Sequence, residues 1–179
     1  MNTKLIFLIG IITVLIFGTT VHGSENFSYS WWKITFDCPV EFSQPIEIGL
    51  DAVSLLYPPE ADFKTGQIEI TLVAVSKGMK EDLGNAEVDV IEYVKAVFLG
   101  TAKPPLETID RSFLGNIITG QLLDIAIPQE GMMEFYLVSL SRGDSVAMAF
   151  RWNISVQKEK VEKIISMVSS TLREVCRDE

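Results

Sequence analysis

The sequence predicts an α+β domain built on a single, largely antiparallel sheet that is flanked by two main helices. Residues 107–152 form four alternating apolar and polar stretches joined by short turns, which is the pattern of antiparallel hairpins. Apolar residues recur at helical spacing near residues 87–99 and again in residues 155–175. Three strand-like segments precede the first helix, so strands and helices do not alternate as they do around a parallel sheet.

The first three extended segments are predicted as one strand each. Residues 29–36 alternate, and Pro39 ends the segment because proline cannot donate to a strand ladder. Residues 46–57 form the second segment, which is broken by the following prolines. Residues 67–76 carry apolar side chains on both faces, and this predicts a strand that is covered on both sides.

The helices and the meander follow. Residues 77–86 are interpreted as a mixed-charge loop, and a helix is expected from Glu87 to Leu99, because Gly100 ends the apolar period. Four strands are then expected over residues 107–114, 117–127, 132–141 and 145–152, and Ser155 is expected to cap the closing helix. The apolar stripe of that helix consists of Val161, Ile164, Ile165, Val168, Leu172 and Val175.

Residues 1–23 have the pattern of a secretory signal. Lys4 precedes an apolar run over residues 5–17, and Gly23 provides a small residue at the cleavage position. The run is shorter than the roughly 20 residues that a membrane span needs. We therefore expect cleavage after Gly23, export to a periplasmic or extracellular space, and one domain over residues 24–179 without a further span. An uncleaved anchor is the alternative.

Histidine chemistry is excluded from the expected mature chain. His22 is the only histidine, and it lies in the predicted signal. Ser/His/Asp and Cys/His catalytic sites, and metal sites that need imidazole, are thereby removed. The sequence also has no glycine-rich phosphate-binding motif. We predict no catalytic, cofactor-binding or metal-binding residues and no cofactor.

The charge of the chain restricts its partners. The full chain carries a formal net charge of −9, and loss of the positive Lys4 with the signal would bring the net charge of the mature chain to −10. Such a field opposes binding to nucleic acid and to anionic lipid surfaces. It suits a protein that is kept in solution by its charge or that has a cationic partner.

The two cysteines, Cys38 and Cys176, are predicted to form a disulfide because export would place them in an oxidising compartment. In the chain-entropy model, a disulfide that closes a loop of this length stabilises the folded protein by roughly 4–5 kcal/mol. Two separate buried thiols are the alternative.

Several surface features have simple structural interpretations. The acidic stretch Glu81, Asp82, Glu87, Asp89 and Glu92 has no calcium-loop spacing, and we expect it to be solvent-exposed.

The tripeptide 142–144 (Arg-Gly-Asp) is interpreted as a turn between two strands. Sequons begin at Asn26 and Asn153. Tyr29 and Trp31 are candidates for an exposed aromatic partner surface, although cover by a helix is the alternative.

The order of these elements resembles a known fold. The segment Trp32–Pro39, the helix before Phe113-Leu114-Gly115, and the closing strand and helix are similar to the PsbP-like fold. That fold is shared by extrinsic photosystem proteins, Mog-type Ran-binding proteins and DcrB-like envelope proteins. The resemblance spans nearly the whole mature chain and implies a mostly non-enzymatic binding or assembly role. It transfers no individual functional residue.

These observations lead to one functional expectation and two alternatives. We expect an exported, non-enzymatic binding or assembly protein of the cell envelope whose partner is a protein or another envelope component. A small-ligand or lipid carrier with a pocket between sheet and helix is the first alternative. A carboxylate-based hydrolase is the second, and it requires two facing carboxyl groups roughly 5–9.5 Å apart.

Overall fold

The computed structural model describes residues 26–49, 51–84, 86–98, 100, 104–126 and 130–175. The predicted signal over residues 1–23 and Cys176 lie outside these residues. Within the described part of the chain, no helix has the length and apolar character needed to cross a membrane.

The described elements are ten strands and three α-helices. In chain order they are β1 (Asn26–Trp31), β2 (Ile34–Pro39), β3 (Ile46–Gly49), β4 (Ala52–Tyr57), β5 (Ile68–Val75), α1 (Lys77–Asp82), α2 (Glu87–Phe98), β6 (Glu107–Phe113), β7 (Asn116–Ile125), β8 (Gly131–Ser139), β9 (Ser145–Asn153), α3 (Lys158–Thr171) and β10 (Arg173–Glu174).

The predicted α+β class with a large antiparallel sheet is confirmed. Seven strands form that sheet in the order β3-β4-β5-β9-β8-β7-β6, and every neighbouring pair is antiparallel. The meander from β6 to β9 lies where the alternation predicts it. A separate sheet of β1, β2 and β10 accompanies it, so the expectation of a single sheet is wrong.

Two segments that the alternation predicts as single strands are hairpins. The chain reverses at Trp32 and Lys33, where Trp32 has a φ of 51° and Trp31 pairs with Ile34. Residues 46–57 likewise fold back as β3 and β4. The reason is the same in both places: alternation continues through a very short turn, so the pattern does not show the reversal.

One helix and one helix boundary also differ from the prediction. Residues 77–82 form α1 instead of a loop, because the Ser76 hydroxyl accepts a hydrogen bond from the Met79 N–H and caps the helix. The closing helix begins at Lys158 after Gln157, and the predicted cap Ser155 instead donates its N–H to the side chain of Asn153.

The core consists of two layers, one on each face of the large sheet. The small sheet and α3 cover the first face, where Phe36, Tyr136 and Ile165 are buried together. Helix α2 covers the second face through Val90 and Val94. The β7 backbone leaves space for the Tyr136 ring only because residue 120 is glycine, since a Cβ there would lie 2.3 Å from that ring.

Candidate binding cleft

An open cleft runs along the outer edge of the large sheet. Its volume is about 850 Å³. One wall is β6 with the following turn, from Asp110 to Gly115, and the other is the C-terminal half of α3 with β10. Most of its lining residues are serines or charged residues, and Leu114 and Leu172 add apolar surface.

Arg111 anchors the β6 wall to the rest of the domain. Its guanidinium donates to both carboxylate oxygens of Glu134 on β8, at 2.6 and 2.7 Å, and lies 2.9 Å from the carboxylate of Glu162 on α3. The Tyr136 hydroxyl donates to Glu134 at 2.6 Å and accepts from Arg111 at 3.1 Å. The network therefore fixes β6, β8 and α3 relative to one another.

The electrostatics of this network keep the arginine charged and the tyrosine protonated. Hydrogen bonds to Glu134 are the largest cause that raises the pKa of Arg111, and they outweigh the opposing effect of burial. Burial is the largest cause that raises the pKa of Tyr136, and its hydrogen bond to Glu134 acts in the same direction. The group is a structural ion pair with satisfied donors.

The β6 wall is an edge strand. In the described residues β6 pairs with β7 alone. Leu114 and Gly115 both have positive φ, 52° and 78°, which is the signature of a two-residue type I′ turn. In such a hairpin the two residues that flank the turn, Phe113 and Asn116, form a hydrogen-bonded pair. Hydrogen-bonded and non-hydrogen-bonded pairs alternate along an antiparallel ladder. The backbone N–H and C=O groups of Thr108, Asp110 and Ser112 therefore point away from β7.

The α3 wall is made of small side chains that leave the cleft open. Ser169 and Ser170 donate their hydroxyls to carbonyls of their own helix, at 3.2 Å each, and Ser166 is exposed. The Arg173 guanidinium covers the end of α3 by donating to the carbonyls of Ser170 and Leu172. These bonds hold the wall in place without filling the cleft.

The aromatic residues that the sequence offers as a partner surface lie elsewhere. Tyr29 is only 7% exposed and donates its hydroxyl to the Ser43 carbonyl, and burial raises its pKa to about 12. It is a core residue because the β1–β2 hairpin lies on the large sheet. Trp31 is half-buried beside Trp32, with 6.4 Å between the ring centroids. Neither residue lines the cleft.

Cys38 is fully buried and carries a free thiol within the described residues, and burial raises its pKa to about 12. Its predicted partner Cys176 lies outside the described residues. Val175, one residue earlier, donates its N–H to the Lys33 carbonyl at 2.8 Å, five positions before Cys38 along the chain. The disulfide stays a sequence-based prediction that the described backbone opposes. Val175 lies opposite Lys33, roughly 16 Å along β2 from Cys38, whereas one further residue extends the chain by only about 3.8 Å and a disulfide needs Cα atoms within about 7 Å.

The acidic stretch has the exposure that the sequence predicts. Asp82, Glu87, Asp89 and Glu92 are all exposed. Glu92 forms an ion pair at 2.9 Å with Lys95, whose side chain is buried. The stretch is therefore a solvated helix surface.

The Arg-Gly-Asp tripeptide lies in the turn between β8 and β9, as predicted. Asp144 is buried and accepts hydrogen bonds from the Lys33 ammonium at 2.5 Å and from the Lys77 N–H at 2.8 Å. Burial alone would raise the pKa of Asp144, but these bonds outweigh it and lower that pKa. The carboxylate joins the small sheet to the large one and is not presented to solvent.

Two buried carboxylates are absent from the candidates that the sequence offers. Glu134 lies on the first face of the sheet, in the row of Tyr136, whereas Glu69 lies on the second face. Glu69 accepts from the hydroxyls of Ser54 and Thr71, at 2.8 and 2.9 Å, and pairs with Arg151. The signal in the sequence is a glutamate within an otherwise apolar strand, which needs a cationic partner.

These positions bear on the two alternative functions. A carboxylate-pair hydrolase needs facing acids, but Glu69 and Glu134 are separated by the sheet and each is bonded to an arginine. A second cavity, beside Phe63 and Arg151, measures about 20 Å³, which is room for about one water molecule and not for a lipid. No group of three or more potential metal ligands occurs among the residues that the structure describes.

Comparison with known proteins gives a likeness of fold. No protein-family model matches the chain, and no curated protein matches its sequence. The structure of the Ran-binding protein Mog1p from Saccharomyces cerevisiae is similar with a TM-score of 0.51 and 14% identity, and the likeness covers 85% of this chain and 96% of that one.

A point mutant of Mog1 gives the same TM-score of 0.51 and 14% identity, over 84% of this chain and 96% of the mutant. At this identity the likeness concerns the fold alone. It supports the Mog-type part of the sequence resemblance, while the PsbP-like and DcrB-like parts stay predictions. The architecture of this chain is therefore similar to that of Mog1, an α+β domain with a large antiparallel sheet.

Proposed function

We propose that this chain is an exported, non-enzymatic binding or assembly protein of the cell envelope, and that it binds a partner polypeptide in the cleft between β6 and α3. The observation that carries the proposal is the cleft itself. Its walls belong to separate elements, yet the Arg111–Glu134–Glu162 network holds them in fixed positions. A surface that is already ordered loses little conformational entropy when a partner binds.

The character of the cleft favours a polypeptide over a small molecule. Small-molecule sites are enclosed and mainly apolar, with a few polar groups. This cleft is open to solvent, and most of its lining residues are serines or charged residues. Polar rims and backbone edges are features of protein–protein recognition.

Export is the second half of the proposal. It rests on residues 1–23, in which Lys4 precedes an apolar run that ends before Gly23. The Mog1p structure is of a Ran-binding protein, and that activity is not carried over to this chain at 14% identity. Fold alone does not determine function, so the partner must be identified directly.

The proposal is tested by affinity capture from the native host with two matched variants. Ser166→Trp places a large ring in the cleft, whereas Lys163→Trp adds the same ring at an exposed position of α3 that does not line it. We expect the same partner with the unchanged protein and with Lys163→Trp, and about tenfold less of it with Ser166→Trp, a loss of about 1.4 kcal/mol.

Thermal unfolding of both variants should match that of the unchanged protein, because both positions are exposed. Capture of the partner at equal levels by all three proteins would contradict the assignment of the cleft.

A further inference from the structure

We infer that β6 receives the partner as an added strand, and that this extended segment of the partner carries lysine or arginine side chains. The inference rests on the proposed binding function and specifies the chemistry of the partner at the same cleft.

The first observation is the free backbone of β6. The N–H and C=O groups of Thr108, Asp110 and Ser112 point away from β7, and within the described residues no strand pairs with this edge. Such an edge is a template for another strand, because its backbone groups are spaced to bond an extended chain. All three of these residues are exposed.

The second observation is the space beside that edge. An added strand lies about 4.8 Å from its neighbour. Three consecutive β6 residues, Asp110, Arg111 and Ser112, line the cleft, and the opposite wall bears the small side chains of Ser166, Ser169 and Ser170. These small side chains leave open space beside β6 for an extended segment.

The third observation is charge. Asp110 and Glu174 line the cleft together with Arg111 and Arg173, and Arg111 is bonded to both Glu134 and Glu162 outside the lining, so these six side chains together carry two excess negative charges. The whole chain carries a net charge of −9. An occupant with basic side chains complements this surface.

The same charges disfavour a second copy of this chain as the occupant. In a fully overlapped antiparallel pair of two β6 strands, Asp110 would lie opposite Asp110. Like charges directly opposite each other destabilise a strand pair. The partner is therefore a different polypeptide.

The test uses the purified protein and a synthetic peptide of alternating threonine and lysine. Amide hydrogen exchange is measured with and without millimolar peptide. We expect the amides of Thr108, Asp110 and Ser112 to exchange at least about tenfold more slowly with peptide, while those of Ile109 and Arg111, already paired with β7, do not change.

Two controls define the mode of binding and the charge preference. The same peptide with N-methyl groups at alternate residues removes the donors that an added strand needs, and it should give no protection. A threonine–glutamate peptide should bind at least about tenfold more weakly than the lysine peptide if charge complementarity contributes.

A pair of protein variants gives an independent measurement. Ser112→Pro removes one outward N–H from an edge strand, where proline is tolerated, and Ser112→Ala retains it. We expect binding of the lysine peptide to weaken about tenfold in the proline variant only, the loss of about one hydrogen bond. The N-methyl peptide is tested on the unchanged protein, so it tests strand addition even if the proline variant does not fold.

Each outcome has one meaning. No protection of the three outward amides by the lysine peptide overturns strand addition, and equal binding of the glutamate peptide overturns the basic partner. Slow exchange of these amides in a dimeric protein without peptide assigns the edge to a second copy and also overturns the inference. A partner that is lost with Ser166→Trp in the capture experiment would still support the proposed binding function in all of these cases.

Discussion

Among the charged residues at the cleft, Glu134 is the one whose replacement we expect to destabilise the protein most. Its side chain is only 3% exposed, and it accepts from Arg111 and Tyr136 at the same time. In a buried site the attraction between the charges offsets the cost of removing them from water only while both are present. Removal of one partner leaves the other buried without its counter-charge.

We therefore predict that Glu134→Gln lowers the free energy of unfolding by about 3–5 kcal/mol, the range for one half of a buried pair. Glu162→Gln removes the second carboxylate beside Arg111, but its side chain is 41% exposed, and its loss should cost less than about 1 kcal/mol. Urea unfolding of the two variants measures both values. Similar losses in the two variants would show that burial does not determine the strength of these pairs.

The buried thiol of Cys38 leads us to predict that the stability of the protein falls as pH rises in the alkaline range. Burial raises the pKa of its thiol from 9.0 to about 12. Above pH 9 the thiol ionises in the unfolded chain but keeps its proton in the folded one. The full stability of the folded protein is therefore retained with respect to this thiol below pH 9. Between pH 9 and 12 the free energy of unfolding falls by up to about 1.4 kcal/mol per pH unit.

The measurement is urea unfolding between pH 8 and pH 10.5 under reducing conditions, with Cys38→Ala as the control. The alanine variant lacks the titrating group, so its stability should fall less steeply above pH 9. Parallel curves for the two proteins would mean that the folded thiol ionises as readily as the unfolded one.

At the scale of elements, the turn between β6 and β7 determines the direction of the cleft wall. Gly115 has a φ of 78°, in the left-handed region. Gly78 lies inside α1 without a positive φ, and a Cβ added there would lie 3.9 Å from the Ser76 hydroxyl oxygen, an ordinary contact. We predict that Gly115→Ala destabilises the protein by about 1 kcal/mol and that Gly78→Ala stabilises it by about 0.5–1 kcal/mol.

Thermal unfolding of both variants compares the same chemical change in two backbone conformations. An equal effect of the two substitutions would contradict the type I′ turn, and with it the outward direction of the Thr108, Asp110 and Ser112 amides.

The elements that the sequence predicts well are those with long, regular patterns. Helix α2 and the strands β5 to β9 follow apolar periods that their burial in the core requires. The β1–β2 reversal escapes prediction because Trp32 adopts a positive φ that residues other than glycine, asparagine and aspartate rarely adopt. Ser155 has the residue type of a helix cap, but its N–H is bonded to Asn153 and the helix begins later.

The cleft could not be predicted from the sequence. Its walls are residues 110–115 and 166–174, which are distant in the chain and meet only because α3 crosses to the β6 edge of the sheet. The serines of α3 have no motif spacing, and Arg111 is one of several arginines. Tyr29 illustrates the opposite case, since its aromatic ring suggests a surface role while the hairpin buries it.

At the scale of the whole molecule, the proposed function requires the protein to act outside the compartment in which it is made. We predict that protein recovered from the exported fraction begins at Ser24. Intact mass spectrometry without reduction tests this start directly. It also tests the Cys38–Cys176 bridge that the sequence predicts and the described backbone opposes, because a bridge would lower the mass by two hydrogens relative to the reduced chain.

A mass that includes residues 1–23 would contradict cleavage and favour an anchored protein. An unchanged mass after reduction would mean that both cysteines are free thiols.

The central claim is that a partner polypeptide occupies the cleft between β6 and α3. It is tested most directly by placing a photoreactive phenylalanine derivative, in the native host, at Ser166 in the cleft and at Ile154, an exposed residue outside it. We expect a cross-link from Ser166 to one polypeptide whose linked peptide contains lysine or arginine side chains, and no such product from Ile154. The same polypeptide cross-linked equally from both positions, or from Ile154 alone, would contradict the claim.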